Sequence, residues 1–226
     1  MPYSLIIFDC DGTLVDSEYL NNLAIIDVLH TCGLTHITMD HALEEFVGLR
    51  FSTIMGNITR DTGHVFPKDA AQTYLAKVRE LSPIHMKAID GARAVVLCAQ
   101  SFADSCVVSN GERNNVLASL DFAGLREFFD DEFIFTGLMA PNPKPAPDLF
   151  LLAAERKNIA PSKTLVIEDS TTGVAAALAA NMDVWGFCGT HHEPERQAET
   201  LREMGAHATY LSMHDMLSDL NKIKRA

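Results

Sequence analysis

The sequence predicts an α/β protein, a doubly wound, Rossmann-like parallel sheet interrupted by an all-helical cap. Three observations carry that expectation. Leu5-Ile6-Ile7-Phe8 is apolar without alternation, as in a strand covered on both faces of a parallel sheet. From Gly91 onward helical and strand-like patterns alternate, which implies right-handed βαβ crossovers. Between these stretches only helical patterns occur. The expected division is therefore a core of residues 1–15 and 87–226 and a helical cap of residues 16–86.

The elements follow in order. The first strand runs into Asp9-Cys10-Asp11-Gly12-Thr13. Ser17 is suited to cap a helix running through Leu20, Leu23, Ile26 and Leu29 to Gly33. Further helical patterns cover Ala42 to Val47, Thr53 to Thr59 and Lys68 to Leu81, and Gly91 opens one with Ala94, Val95 and Leu97. The later strand candidates are Ser105 to Ser109, Glu132 to Thr136, Thr164 to Glu168 and Val184 to Phe187, with Ala208 to Leu211 as a short edge. Helices are expected over Pro147 to Lys157, where the proline suits a first turn, and over Gly173 to Ala180. The proline-rich stretch from Pro141 to Pro147 reads as a stiff loop.

Bulk properties narrow the function classes. A net charge of −12 over 226 residues disfavours nucleic acid and anionic membrane as partners, so an anionic substrate has to be drawn in by a few local cations and a metal. No twenty-residue apolar stretch is present, and the first twenty residues carry three Asp and one Glu, unlike a signal peptide; a cytoplasmic protein, monomeric or weakly homodimeric, is expected. Five scattered cysteines without a Cys-x-x-Cys pair read as buried or reduced thiols, with Cys10 pointing away from the neighbouring acids. His191-His192 lacks a third ligand at metal spacing and reads as part of a loop.

The chemistry gathers at strand ends. In open α/β sheets ligands bind beyond the carboxyl ends of the strands, where Asp9 and Asp11 lie. Gly12 permits a sharp turn and close approach to a ligand, and amides around such a turn can point at an anion. Ser109-Asn110-Gly111, Lys144 and Glu168-Asp169-Ser170 follow later elements. Each has an ordinary reading: Asp9 or Asp169 as a helix cap, Ser-Asn-Gly as a turn, Lys144 as a solvated charge. Independent caps give no reason for this order at successive strand ends. Together the groups supply a nucleophile, a proton donor, an oxygen-only magnesium cage and donors for phosphoryl oxygens.

That order and wording resemble the haloacid dehalogenase superfamily over nearly the whole chain. Asp9-Cys10-Asp11-Gly12-Thr13 is similar to its first motif, Ser109 to the second, Lys144 to the third, and Glu168-Asp169-Ser170 with Gly173 to the fourth. A helical cap between the first and second motifs, and the phrase Lys144-Pro145-Ala146-Pro147-Asp148, resemble the β-phosphoglucomutase-like branch. Cys10, Val107 to Gly111 and Gly186-Phe187-Cys188 are similar in wording to bacterial 6-phosphogluconate phosphatases.

The resemblance implies roles. Asp9 is the nucleophile that forms an aspartyl-phosphate, and Asp11 protonates the leaving alkoxide and then activates water. Mg2+ is bound by Asp9, Asp169 and the backbone carbonyl of Asp11, with Glu168 either a further ligand or a partner of the ligands. Ser109 and Lys144 take phosphoryl oxygens, joined by backbone amides near Gly12 and Asn110. Arg50, in the cap, either grips a second anionic group of the substrate or is a solvated arginine. The implied activity is a magnesium-dependent phosphatase for a small phosphorylated metabolite, a sugar phosphate or a sugar-acid phosphate such as 6-phosphogluconate. A phosphosugar mutase that keeps water from Asp9 is the alternative. Asp11 argues against carbon–halogen cleavage, and the absence of a lysine near Arg50 argues against phosphonate cleavage. A receiver-type signalling module is the remote alternative, because there the metal-binding acidic pair precedes the phosphorylated Asp.

Overall fold

The computed structural model describes residues 2–46, 49 and 51–225. All four residues of β1 (Leu5–Phe8) are completely buried, so the strand is covered on both faces. Parallel neighbours flank it, β4 (Asp104–Ser109) on one side and β6 (Thr164–Glu168) on the other. Outside these lie β5 (Ile134–Thr136), β7 (Asp183–Phe187) and β8 (Ala208–Tyr210), giving the order β5-β4-β1-β6-β7-β8. The strand order reverses beside β1, which opens a crevice at the carboxyl ends of β1, β4 and β6.

Alternate strand residues divide the core. Leu5, Ile7, Cys106, Val108, Phe135, Val166 and Val184 pack against Leu149 and Phe150 of α7 (Asp148–Arg156), Val174 and Ala177 of α8 (Thr171–Ala179) and Leu201 of α9 (Pro194–Glu203). On the opposite face α5 (Ala92–Gln100) packs on α10 (Met213–Arg225). Burying each of these large apolar side chains contributes about 1.5–3 kcal/mol, which fixes the strand ends that carry the polar groups. Register then does the positioning: Phe8 pairs with Ile167, so Asp9 and Glu168 leave the sheet side by side.

Residues 17–86 form a separate compact unit and residues 1–16 with 87–226 the other. The smaller unit holds α1 (Glu18–Thr31), α2 (Met39–Glu45), α3 (Phe51–Thr62) and α4 (Ala70–His85). Its own core comprises Ile25, Val28, Leu29, Ile37, Phe46, Phe51 and Ile54, with Phe51 stacked on Tyr74 at 4.6 Å between centroids.

Several local expectations differ from the structure. Ser17 stands at the start of α1 but makes no capping bond, because its ψ of −8° is already helical and not the extended geometry a capping side chain needs. The second cap helix starts at Met39, not Ala42, since Thr38 accepts from the His41 amide at 3.2 Å. The fourth continues past Leu81 to His85, through Pro83. Asp131–Phe133 forms a 3-10 turn, which shortens the expected strand to Ile134–Thr136. Two-residue strands β2 (Val15–Asp16) and β3 (Lys87–Ala88) pair antiparallel and are too short to leave a pattern in sequence. Among the described residues no helix is long and apolar enough to cross a membrane.

Candidate active site

The Lys144 ammonium stands at the centre of the strand-end cluster. It donates to Asp9 Oδ1 at 2.6 Å, to Glu168 Oε1 at 2.8 Å and to the Val108 carbonyl at 2.8 Å, which uses all three of its N–H groups. The nitrogen lies 4.9 Å from the Phe150 ring centroid, so an aromatic wall closes the remaining side. The loop that delivers it is pinned by Asn110, whose side-chain amide donates to the Lys144 carbonyl at 3.0 Å while its carbonyl accepts from the Lys144 N–H at 2.9 Å. Asn142 donates to Asp148 Oδ1 at 2.9 Å and closes the loop on the start of α7. Proline-rich backbone with two such ties presents lysine at one height above β4.

Asp9, Glu168 and Asp169 each offer an oxygen within 4.8 Å of the others. Glu168 is 1% exposed and heavily engaged: Oε2 accepts from the Ser170 N–H at 2.7 Å and from its hydroxyl at 2.9 Å, while Oε1 holds Lys144. A Cβ on Gly173 would stand 1.7 Å from Oε1, so only glycine lets α8 approach this carboxylate. Ser170 in turn caps α8 by accepting from the Gly173 N–H at 3.0 Å. Asp169 Oδ1 accepts from the buried Thr13 hydroxyl at 3.1 Å.

Three carboxylates against one ammonium leave an excess of negative charge in a buried place. Burial raises Asp9 to about 8; the Lys144 charge opposes that rise and the neighbouring Glu168 adds to it. Burial likewise raises Asp169 well above the usual carboxylate range, helped by repulsion from Glu168 and Asp9. Burial alone would lower Lys144, but the charges of Asp9 and Glu168 outweigh it and raise the lysine. An oxygen-only donor set with surplus negative charge fits a hard divalent cation such as magnesium.

The other expected residues fall into different positions. Ser109 is 3% exposed at the end of β4, and its Oγ accepts from the Gly111 N–H at 3.0 Å, a bond that does not use the hydroxyl's own proton. Of the backbone amides near Gly12 expected to meet phosphate, the Gly12 N–H itself is engaged by the Val15 carbonyl at 2.9 Å. Gly12 serves by close approach instead. Its φ is +80°, and a Cβ there would lie 2.3 Å from Asp169 Oδ2. The Asn110 side chain is likewise spent on Lys144, which leaves only its backbone for an anion. Asp11 is exposed, one turn from the buried cluster, and bridges to Val15. Arg50 lies outside the described residues. Cys10 is fully buried, with its thiol raised by burial first and by Asp11 and Asp9 next, as befits an inert core thiol.

Two contacts had no signal in the sequence. Thr190 donates to the Gly12 carbonyl at 2.8 Å, and Gln197 donates to the Asp169 carbonyl at 2.7 Å. Neither residue sits in a motif, and only the fold brings the segment after β7 against both turns.

The sequence pattern of the family described as haloacid dehalogenase-like hydrolase matches residues 6–187. The chain is 31% identical over 188 residues to the 6-phosphogluconate phosphatase of Escherichia coli, covering 83% of each chain. It is also 31% identical to the fructose-1-phosphate phosphatase of the same organism over 80% of this chain and 94% of that one. A structure of a HAD family hydrolase from Deinococcus radiodurans, with bound phosphate and sodium, superposes with a TM-score of 0.83 at 30% identity, covering 97% of both chains. With the other three motifs gathered around the buried lysine of the third and this likeness across most of its length, the chain belongs to the haloacid dehalogenase-like hydrolases.

Proposed function

We propose that this hydrolase is a magnesium-dependent phosphatase of small sugar phosphates or sugar-acid phosphates, working through a phosphorylated Asp9. The observation that carries the reading is the buried cluster of Asp9, Glu168 and Asp169 around Lys144. A structural salt bridge needs one acid for one lysine; this cluster carries two acids in excess, at the sheet end where ligands of such folds bind. The substrate class rests on the two phosphatases from Escherichia coli, both named for phosphorylated sugar derivatives.

In this reading Asp9 and Asp169, with the Asp11 carbonyl, hold the cation, while Glu168 is occupied in fixing Lys144 and the start of α8. Bound there, magnesium supplies positive charge to offset that of the phosphoryl oxygens. Lys144 favours the ionised form of Asp9, against the burial that opposes it, and aims the carboxylate. Asp9 then attacks phosphorus, the bond to the sugar oxygen breaks, and Asp11 gives that oxygen its proton. Water next attacks the phosphorus of the aspartyl-phosphate while Asp11 takes a proton back, releasing phosphate and regenerating Asp9. Ser109 donates its hydroxyl proton to a phosphoryl oxygen. Because every N–H of Lys144 is engaged, a phosphoryl oxygen reaches the ammonium only by replacing one of its three partners. Residues 17–86 are the element we assign to substrate choice.

The test is phosphate release from a panel of phosphorylated sugars, sugar acids and amino alcohols, with magnesium and with excess chelator. Release from sugar substrates that is lost in chelator and restored by magnesium is the expected result. Isomerisation without phosphate release would instead make the protein a mutase, and full activity in chelator would remove the cation from the mechanism.

A further inference from the structure

We propose that Thr190 and Gln197 form a brace that holds the two acid-bearing turns at cation-binding distance. The idea rests on the metal-site reading above. Both residues belong to one segment, the loop after β7 and the first turns of α9, and each grips the main chain of a different turn. Thr190 Oγ1 donates to the Gly12 carbonyl at 2.8 Å, and Gln197 Nε2 donates to the Asp169 carbonyl at 2.7 Å. The segment is itself anchored. The Cys188 N–H donates to the Tyr210 carbonyl at 2.8 Å, which ties its start to β8, and the Gln197 N–H donates to the Glu193 carbonyl at 2.9 Å within α9.

The turns it grips are in contact. Gly12 leaves room for Asp169 Oδ2 where a Cβ would come within 2.3 Å, and Thr13 of the same turn donates to Asp169 Oδ1. Beyond the paired ends of β1 and β6, two turns more than 150 residues apart in sequence therefore meet through one carboxylate whose neighbours repel it. Sheet pairing ends with the Asp9 N–H on the Ile167 carbonyl at 2.9 Å, and beyond it, without a further tie on each backbone, that repulsion would widen the gap between the turns. Both ties end on carbonyl oxygens and not on carboxylates, so they fix the acids while leaving their lone pairs for a cation. Gln197 is 9% exposed, which shields its bond from competing water. These are positioning residues, acting on the cation through Gly12 and Asp169 and touching neither it nor the substrate.

Outer partners of metal ligands typically affect metal affinity by about 10- to 100-fold. The experiment measures Mn2+ binding to metal-free protein, from the electron paramagnetic resonance signal of the free ion, alongside steady-state kinetics. Gln197→Leu and Thr190→Val should each weaken Mn2+ binding by about 10-fold, with the substrate KM unchanged at saturating metal. Thr190→Ser, which keeps the hydroxyl, should bind like wild type. Thr200→Val is the control, because the Thr200 hydroxyl donates only to Arg196 within its own helix. Should Gln197→Leu fail to fold, the Val and Ser variants at position 190 decide alone. Wild-type affinity in Thr190→Val would overturn the brace and leave the metal site standing. Failure of wild-type protein to bind Mn2+ at all would overturn the metal site, and the brace with it.

Discussion

The turn after β1 and the turn after β6 begin alike, each an apolar strand ending in two acids, and end in opposite arrangements. After β1 the acids are separated by Cys10: Asp9 stays buried against Lys144, and Asp11 emerges at the surface. After β6 the acids are adjacent. Glu168 turns back into the protein, where it is held by Lys144 and by Ser170 at the start of α8, and Asp169 turns toward Gly12. The first spacing gives one sequestered acid and one in reach of solvent, as the proposed nucleophile and proton carrier require. The second gives two acids that stay inside, one consumed in structure and one left for a cation. Lys144 touches one acid of each turn and so couples them.

Breaking this comparison starts with Asp9. Asp9→Asn keeps the shape and removes the attacking charge, so turnover should fall by at least about 10³-fold, in line with loss of other covalent nucleophiles. Appreciable steady-state phosphate release by that variant would take Asp9 out of the nucleophile role. Asp11→Asn should act through the leaving group. The loss, within the range of about 10²–10⁴ typical of general acid catalysis, should be large for sugar phosphates and small for p-nitrophenyl phosphate, whose phenolate needs little protonation. Single-turnover phosphorylation of Asp9 is the step to measure, and equal losses for both substrates would reduce Asp11 to a shaper of the turn.

Glu168→Gln should behave differently from both. Its amide nitrogen would face either the Lys144 ammonium or the two Ser170 donors, so one buried donor is set against another whichever way the amide turns. A loss of about 1–3 kcal/mol of stability is expected in urea unfolding, the cost of an unsatisfied buried polar group. Unchanged stability, with activity lost as completely as in Asp9→Asn, would mean that Glu168 works in the chemistry and not in the frame.

Much of this was legible in the sequence, and the division has a physical basis. The unalternating apolar runs at Leu5, Leu165 and their neighbours mark buried parallel strands, and the reactive residues follow them at fixed short distances. Those are local facts that a linear chain records. What the chain does not record is which partner each polar group ends up with. Backbone amides near Gly12 and Asn110 are expected to face an anion, but the Gly12 amide itself is taken by Val15, and nothing in the sequence says that the Asn110 side chain holds the backbone of Lys144. Lys144 reads as a phosphate ligand, and the sequence does not record that Asp9, Val108 and Glu168 already occupy its three N–H groups. Thr190 and Gln197 reach the site only because β7 lies beside β6, a long-range adjacency with no motif of its own.

The last expected effect concerns pH and bears on the contrast between the acids most directly. In metal-free protein Asp9 is raised to about 8 from its ordinary 3.8, chiefly by burial, with Lys144 opposing and Glu168 adding. Between those values the native state holds a proton that the unfolded chain has released. Native protein then binds more protons than unfolded, and this group's contribution to stability falls as pH rises through the window. Lys144 is raised, so it stays charged across the whole range. Asn at position 9 has no proton to lose. In urea titrations with chelator at pH 5, 6, 7 and 8, Asp9→Asn should therefore gain stability relative to wild type, by at most about 1.4 kcal/mol per pH unit. Magnesium should flatten the difference, since it stabilises the ionised carboxylate. If the difference stays flat in chelator, or shifts toward wild type as pH rises, the ion pair with Lys144 outweighs burial and Asp9 is ionised throughout, which would overturn its raised pKa and leave the three acids around one lysine in place.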